Sequence, residues 1–441
     1  FEFKPLPPMT IRGVSEPVRA YEVLKALPRP EKIRGIEGLR AEMIGRDREL
    51  TDLKESMDEL LKGRGQIVTI AGEAGVGKTR LVSELKEHIR DKDIRWLEGR
   101  CVSIGESTGY WAFIDILRSY LGFSDSDTAE SLRERIITSM QRLFPQQWED
   151  IIPYIGNLLS VKFGNQWDEK IRYMPPEQMK YQTFLTLRSV FLAMAQQKPL
   201  LLIFEDLHWA DNLSLDLINL LMDDLILGPL MLLCVHRPEK EHKSWHISAQ
   251  ASGKCLDRYR EITLHALNPQ DSRRLVSALL DIENLPEEVK ESIIHKSDGN
   301  PFFVEEVIRS LIESGAVYRD GDRWVAKGEV EDMTVPDTIQ SVIMARIDRL
   351  EEEVKYVLQS ASVIGRLFRH RLLQYTTQQE QNLDEYLWKL EDRELVYEER
   401  AIPELEYSFR HALTQETAYN TILSCRRREF HHRVAEGYET L

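Results

Sequence analysis

Residues 66–79 read Gln66-Ile67-Val68-Thr69-Ile70-Ala71-Gly72-Glu73-Ala74-Gly75-Val76-Gly77-Lys78-Thr79, a short apolar run followed by a complete G-x-x-x-x-G-K-[ST] motif. Gln66 to Ala71 predicts a compact strand. After the motif, Leu81, Val82, Leu85 and Ile89 recur at spacings of three and four, the stripe of an amphipathic helix. Strand, glycine loop and helix in direct succession are the context this motif requires. Gly72, Gly75 and Gly77 free the backbone to point its N–H groups at a phosphate, and the helix that follows adds the positive end of its dipole. Lys78 is placed to bridge terminal phosphates, and Thr79 to offer its hydroxyl to Mg²⁺. Arg80, next in the chain, joins them as a candidate nucleotide-binding residue.

Working outward, Ile94–Leu97, Pro199–Phe204, Leu230–Val235 and Ile262–Leu264 are further apolar runs with helical patterns between them. Buried strands alternating with helices predict an α/β fold, a parallel sheet with helices on both faces. The run Leu200 to Phe204 closes on Glu205 and Asp206. Two carboxylates at the end of such a strand are what a Mg²⁺-nucleotide site needs to bind metal and polarise an attacking water. Glu205 and Asp206 are therefore the candidate catalytic acids and, with Thr79, the candidate metal-binding residues. Leu230–Val235 runs into His236-Arg237-Pro238, which puts Arg237 at the strand ends where open α/β sheets bind ligands, as a candidate nucleotide sensor.

The composition sets outer bounds. With 441 residues the prior is about three domains at roughly 150 residues each. The 58 Lys+Arg against 73 Asp+Glu give a net charge of −15, which would repel a nucleic-acid backbone outside a strong local basic patch. The longest apolar run, Leu225 to Val235, is interrupted by Gly228 and Pro229 and falls far short of the ~20 residues of a membrane-spanning helix. Cys101, Cys234, Cys255 and Cys425 show no C-x-x-C spacing and no signal peptide precedes them, so the expected compartment is the cytoplasm.

The expected organisation follows from shifts in pattern. Residues 1–26 hold two strands, Met9–Val14 and Val18–Leu24, around a turn, and 27–40 form a Pro-, Gly- and charge-rich linker. Residues 41–265 form the nucleotide-binding domain. Residues 266–334 are a helical lid with a hairpin turning on Asp320, Gly321 and Asp322. In 335–425 the stripe Ile339, Ile343, Ile347, Leu350, Val354, Val357 and Ala361 predicts one or two core helices, and a hairpin around Pro403 makes the region compatible with a winged helix. Residues 426–441 resemble the entry into a helical-repeat region. The chain begins with Phe1 rather than Met, and the expectation is a switch cut from a longer protein.

With these residues in view the chain resembles the STAND class of P-loop ATPases, signal-transduction switches that include MalT-like regulators, in their bacterial AAA-type branch. The resemblance covers roughly residues 41 to 441. It rests on Ile44-Gly45-Arg46-Asp47, on Glu205-Asp206-Leu207-His208-Trp209-Ala210-Asp211 and on Gly299-Asn300-Pro301-Phe302-Phe303. It implies bound ATP or ADP with Mg²⁺, base contacts from the segment around Gly45 and Arg46, and a lid proline, Pro301, packed on the adenine. It further implies a winged-helix histidine at the β-phosphate, for which His411 is the candidate. Glu205 stands where that class usually has Asp, which leaves open which of Glu205 and Asp206 holds Mg²⁺. The stretch Pro8 to Val23 resembles the closing strands of a class III nucleotidyl cyclase domain, whose metal carboxylates lie upstream and cannot be assigned to this chain. Together these imply a weak ATPase regulating an attached cyclase, with downstream helical repeats as further partners and an activating ligand or protein that the sequence does not identify. The competing expectation is a DNA-binding transcription activator of the same class. Against it, residues 335–425 carry 10 Lys+Arg and 16 Asp+Glu, a net of −6, where a DNA reader should be basic. A remodelling AAA motor, the third possibility, would need a ring and an arginine supplied in trans.

Overall fold

The computed structural model describes residues 2–5, 21–25, 42–101, 109–123, 127–164, 166–238, 245–279, 282–283, 285–321, 323–327, 336–379, 382–400 and 405–440. Five strands form the central sheet: β1 (Gln66–Gly72), β2 (Arg95–Arg100), β3 (Leu200–Glu205), β4 (Leu230–His236) and β5 (Tyr259–Leu264). Their order is β2-β3-β4-β1-β5, and every pairing is parallel. The expected α/β class is thus the fold of this region. Strand alternation assigns the two faces. Leu200, Leu202 and Phe204 pack with Phe113, Phe191 and Ile218 on one side, while Leu201 and Ile203 pack with Leu53, Leu81 and Leu85 on the other. Both faces are covered by helices, which is why these strands read as continuous apolar runs rather than alternating ones.

This order places β4 between the phosphate-loop strand β1 and the acid-bearing strand β3. Three strand ends therefore converge on one edge. In register, Ala71 lies beside His236, and Arg100 beside Glu205. Everything the sequence singled out on this sheet sits at that C-terminal edge, where ligands of open α/β sheets bind.

After β5, helices Pro269–Leu279, Glu287–Ser297 and Pro301–Glu313 enclose a separate apolar core with Leu275, Ile293, Val304 and Ile308 at its centre. The predicted hairpin forms from Val317–Asp320 and Arg323–Ala326, and Ile282–Glu283 adds a parallel third strand. The stripe predicted over 337–362 folds as two helices, Ile339–Asp348 and Glu352–Ile364. Strand Leu367–Arg369, helices His370–Thr377 and Leu383–Asp392, and strands Val396–Arg400 and Glu406–Phe409 follow. The three strands form an antiparallel sheet with Glu406–Phe409 in the middle. Helices Ala412–Asn420 and Ser424–Thr440 close the described chain.

Near the N-terminus, Tyr21–Lys25 pairs antiparallel with Glu2–Pro5. The strand expected at 18–24 is present in part. Its partner differs from the one expected, because the pairing uses residues 2–5, and the predicted strand at 9–14 lies outside the described residues.

Candidate nucleotide site

The phosphate loop owes its shape to two glycines. Gly75 and Gly77 have φ of +86° and +102°, values that a side chain rarely tolerates. Gly77 immediately precedes helix Lys78–His88, so the first N–H groups of that helix face the loop. Lys78 is buried, and its ammonium donates to the carbonyls of Gly72 (2.6 Å) and Glu73 (2.8 Å). Burial pushes its pKa down to about 8, with Asp206 opposing and Arg237 adding to the fall.

The helical unit after β5, the expected lid, contacts this loop directly. Asn300 caps helix Pro301–Glu313 by accepting from Phe302 N (3.0 Å), while its amide donates to the Ala74 carbonyl (3.1 Å). A Cβ on Gly75 would stand 2.6 Å from Asn300 Oδ1, so glycine is needed here for the close approach as well as for the turn. Pro301 follows as the first residue of the helix, a position suited to its missing N–H. Gly45, at φ +69°, makes a similar approach to Asp271 at the start of the lid. Arg46 is buried, and its guanidinium donates to the carbonyls of Val76 (3.1 Å) and His265. It thereby ties the segment before the first helix to the phosphate loop and to the chain leaving β5.

At the end of β3, Glu205 is buried and Asp206 turns into the left-handed region at φ +55°. Aspartate tolerates that region better than most side chains, and such residues cluster at functional sites. Asp206, Glu205 and Thr79 line one pocket with Arg100, Arg366 and Tyr397. Burial alone would raise the Asp206 pKa, but Arg366 first, then His208 and Lys78, bring it below the ordinary carboxylate value.

Three ion pairs join this edge to the C-terminal unit. Arg366 donates to Asp206, Arg100 meets Glu399 at 2.7 Å, and Arg237 meets Glu416 at 2.7 Å. His411 caps helix Ala412–Asn420, its Nδ1 accepting from Leu413 N (3.2 Å), and its ring stacks on Phe302 with centroids 3.7 Å apart. Burial, reinforced by Arg366 and Lys78, holds the imidazole well below its ordinary pKa. It is neutral at pH 7, and with Nδ1 accepting, the ring proton resides on Nε2.

Most of the residues read from sequence therefore meet. Lys78, Asp206, Arg237 and His411 influence one another electrostatically, and Thr79 and Glu205 share the pocket with Asp206. Arg80 instead pairs with Glu84 at 2.7 Å along its own helix. Sequence reasoning missed Arg100, Arg366 and Glu416. Arg366 lies 160 residues from Asp206 and belongs to no local motif, so no spacing signals it. The oxygen donors Thr79, Glu205 and Asp206 suit a hard cation such as Mg²⁺. Among the described residues no group of three or more His, Cys, Asp or Glu could hold a metal alone, so a cation here would depend on nucleotide oxygens as well.

Comparison with known proteins agrees with this geometry over the sheet. The AAA ATPase domain family matches residues 42–233, and a domain of unknown function, DUF8739, matches residues 268–323. An uncharacterised protein of Rhizobium meliloti (strain 1021) is 22% identical over 96% of this chain and 40% of its own length. Adenylate cyclase type 10 of Oryctolagus cuniculus is 21% identical over 70% of this chain and 19% of its own. The chain thus spans well under half the length of these curated relatives. Among solved structures, a STAND protein with a tetratricopeptide repeat sensor from Pyrococcus horikoshii covers 92% of this chain and 47% of its own at 14% identity and a TM-score of 0.45. Among the described residues no helix is long and apolar enough to cross a membrane. The AAA ATPase domain match over residues 42–233 spans β1, β2, β3 and the start of β4, with the phosphate loop and the acid pair; the end of β4, Arg237 and β5 lie beyond it on the same parallel sheet.

Proposed function

We propose that this chain is an ATP- or ADP-binding switch of the STAND type that controls an attached class III nucleotidyl cyclase. One observation carries the switch reading: side chains from three separate units surround the phosphate loop. Lys78, Asp206 and Arg237 come from the sheet, Asn300 from the lid, and His411 and Arg366 from the C-terminal unit, read here as a winged helix. A ligand that touches all three holds them together, and one that fits them differently releases them, as a population shift requires. Lys78 and the loop N–H groups would hold phosphates, and the neutral His411 can donate from Nε2. Thr79 with Glu205 or Asp206 would hold Mg²⁺, which supplies charge neutralisation on a triphosphate. Arg46 and Gly45 shape the segment assigned to the base, and Pro301 is the lid proline assigned to pack on the adenine.

The cyclase assignment draws support from the likeness to adenylate cyclase type 10. An attached cyclase on one side and helical repeats on the other are its proposed partners. The net charge of −6 over residues 335–425 disfavours the DNA-reading alternative. The test is the nucleotide content of the purified protein and its Lys78→Ala variant. The proposal expects ADP or ATP in wild type and at least about a tenfold loss of affinity in the variant; equal binding by both would refute it.

A further inference from the structure

Asp206 is engaged by a residue that phosphate-loop chemistry does not require. Arg366 donates from Nη1 to Asp206 Oδ2. Its own carbonyl accepts from Phe409 N (2.8 Å), which ties it into the three-stranded sheet of the C-terminal unit, and Gly365 before it turns at φ +137°. The guanidinium is therefore presented by a fixed backbone rather than a free surface loop. It shares one pocket with Thr79 and Glu205, the other oxygen donors suited to a cation. A guanidinium is not deprotonated in proteins, so the cation at this position is permanent.

These facts conflict with simultaneous use of Asp206 by a divalent metal. A carboxylate that serves Mg²⁺ must turn its oxygens to it, directly or through water. Here one oxygen of Asp206 is spent on a guanidinium, Glu205 lies in the same pocket as that guanidinium and the one of Arg100, and these positive charges stand beside the place a second cation would occupy. We infer that Arg366 is a cis-acting latch: while it pairs with Asp206, the closed C-terminal unit supports nucleotide binding that needs no divalent cation, and Asp206 becomes available to a metal only after Arg366 withdraws. This rests on the nucleotide-switch reading and assigns its regulation to one ion pair.

The test is a titration of the full chain with a fluorescent ADP, in EDTA and in millimolar Mg²⁺, for wild type, Arg366→Gln, Glu399→Gln and Lys78→Ala. Wild type should bind with affinities that differ less than about threefold between the two conditions. Arg366→Gln should gain metal dependence, with Mg²⁺ tightening binding about tenfold or more. Glu399→Gln, which removes the ion pair with the neighbouring Arg100 while leaving the Arg366–Asp206 pair in place, should behave as wild type. Equal metal dependence in wild type and Arg366→Gln overturns the latch. Should Arg366→Gln fail to fold, wild type still decides, since a tenfold tightening by Mg²⁺ in the unmodified chain also overturns it. Failure of the underlying reading looks different: binding is then absent from wild type or survives Lys78→Ala.

Discussion

The C-terminal unit makes two unlike contacts. Against the lid it uses Arg346, whose side chain is 1% exposed and meets Glu306 (2% exposed) at 2.5 Å and Glu313 at 2.6 Å. Arg309 of the lid pairs in the same seam with Glu394. Against the nucleotide domain it uses Arg366–Asp206, at 25% and 22% exposure, Arg237–Glu416, at 17% and 35%, and Arg100–Glu399, at 21% and 8%. Removing one member of a buried pair strands the other charge and costs about 3–5 kcal/mol, whereas a solvent-accessible pair contributes about 0–1 kcal/mol. The pairs between the lid and the C-terminal unit are thus the more deeply buried, and the seam over the phosphate loop, with its more exposed pairs, is the one that opens more readily.

The sharpest way to break this contrast is Arg346→Met, which takes from Glu306 and Glu313 the guanidinium they share and leaves them the longer contacts to Arg309 (3.6 Å) and Arg349 (4.0 Å). It should lower unfolding stability by about 3–5 kcal/mol in urea titration. A loss under about 1 kcal/mol would remove the distinction between the seams.

Gly75→Ala probes the other side. The substitution is strained at φ +86° and drives a methyl into Asn300. It should cost roughly 1–3 kcal/mol and weaken nucleotide binding together with lid docking, read as faster proteolysis near Asn300. An unchanged digestion pattern would show that the lid does not rest on the loop.

Glu416→Gln should be the mildest change in stability, within about 1 kcal/mol and fading further at high salt. A loss as large as that of Arg346→Met would make both seams equally firm.

The openable seam also carries a pH signature. Lys78 has a pKa of about 8 in the folded chain against an ordinary 10.5. Below pH 8 it is charged in both folded and unfolded states, and the burial penalty is fully present. Between about 8 and 10.5 the unfolded state binds more protons, so this group adds stability as pH rises. Phosphates would restore the charge, so binding at pH 8 should take up about half a proton per nucleotide, seen by calorimetry in buffers of different ionisation enthalpy. Binding without proton uptake there would detach Lys78 from the phosphates.

The two seams differ in how far the sequence reveals them. The sheet and its loop were legible because a buried parallel strand leaves an apolar run, and a phosphate loop leaves glycines at fixed spacing. Glu205, Asp206 and Arg237 follow because each sits at the end of such a run. Arg366, Arg100, Glu416 and the Arg346 cluster were not legible. Each pairs with a residue distant in the chain, Arg346 with Glu306 across 40 positions and Arg366 with Asp206 across 160, and a lone charged residue on a helix or loop reads as a solvated one. Arg46 shows the same limit from the other direction. Its motif was visible, but its bonds to the carbonyls of Val76 and His265 depend on how three segments meet.

Amide hydrogen exchange on the full chain, loaded with ADP and then with Mg²⁺ and a non-hydrolysable ATP analogue, tests the contrast most directly. The account predicts that exchange rises in residues 366–369 and 405–411, where the C-terminal unit faces the phosphate loop, while helices Pro301–Glu313 and Ile339–Asp348 keep their protection. Loss of protection in those two helices, or no difference between the nucleotides anywhere, would contradict it.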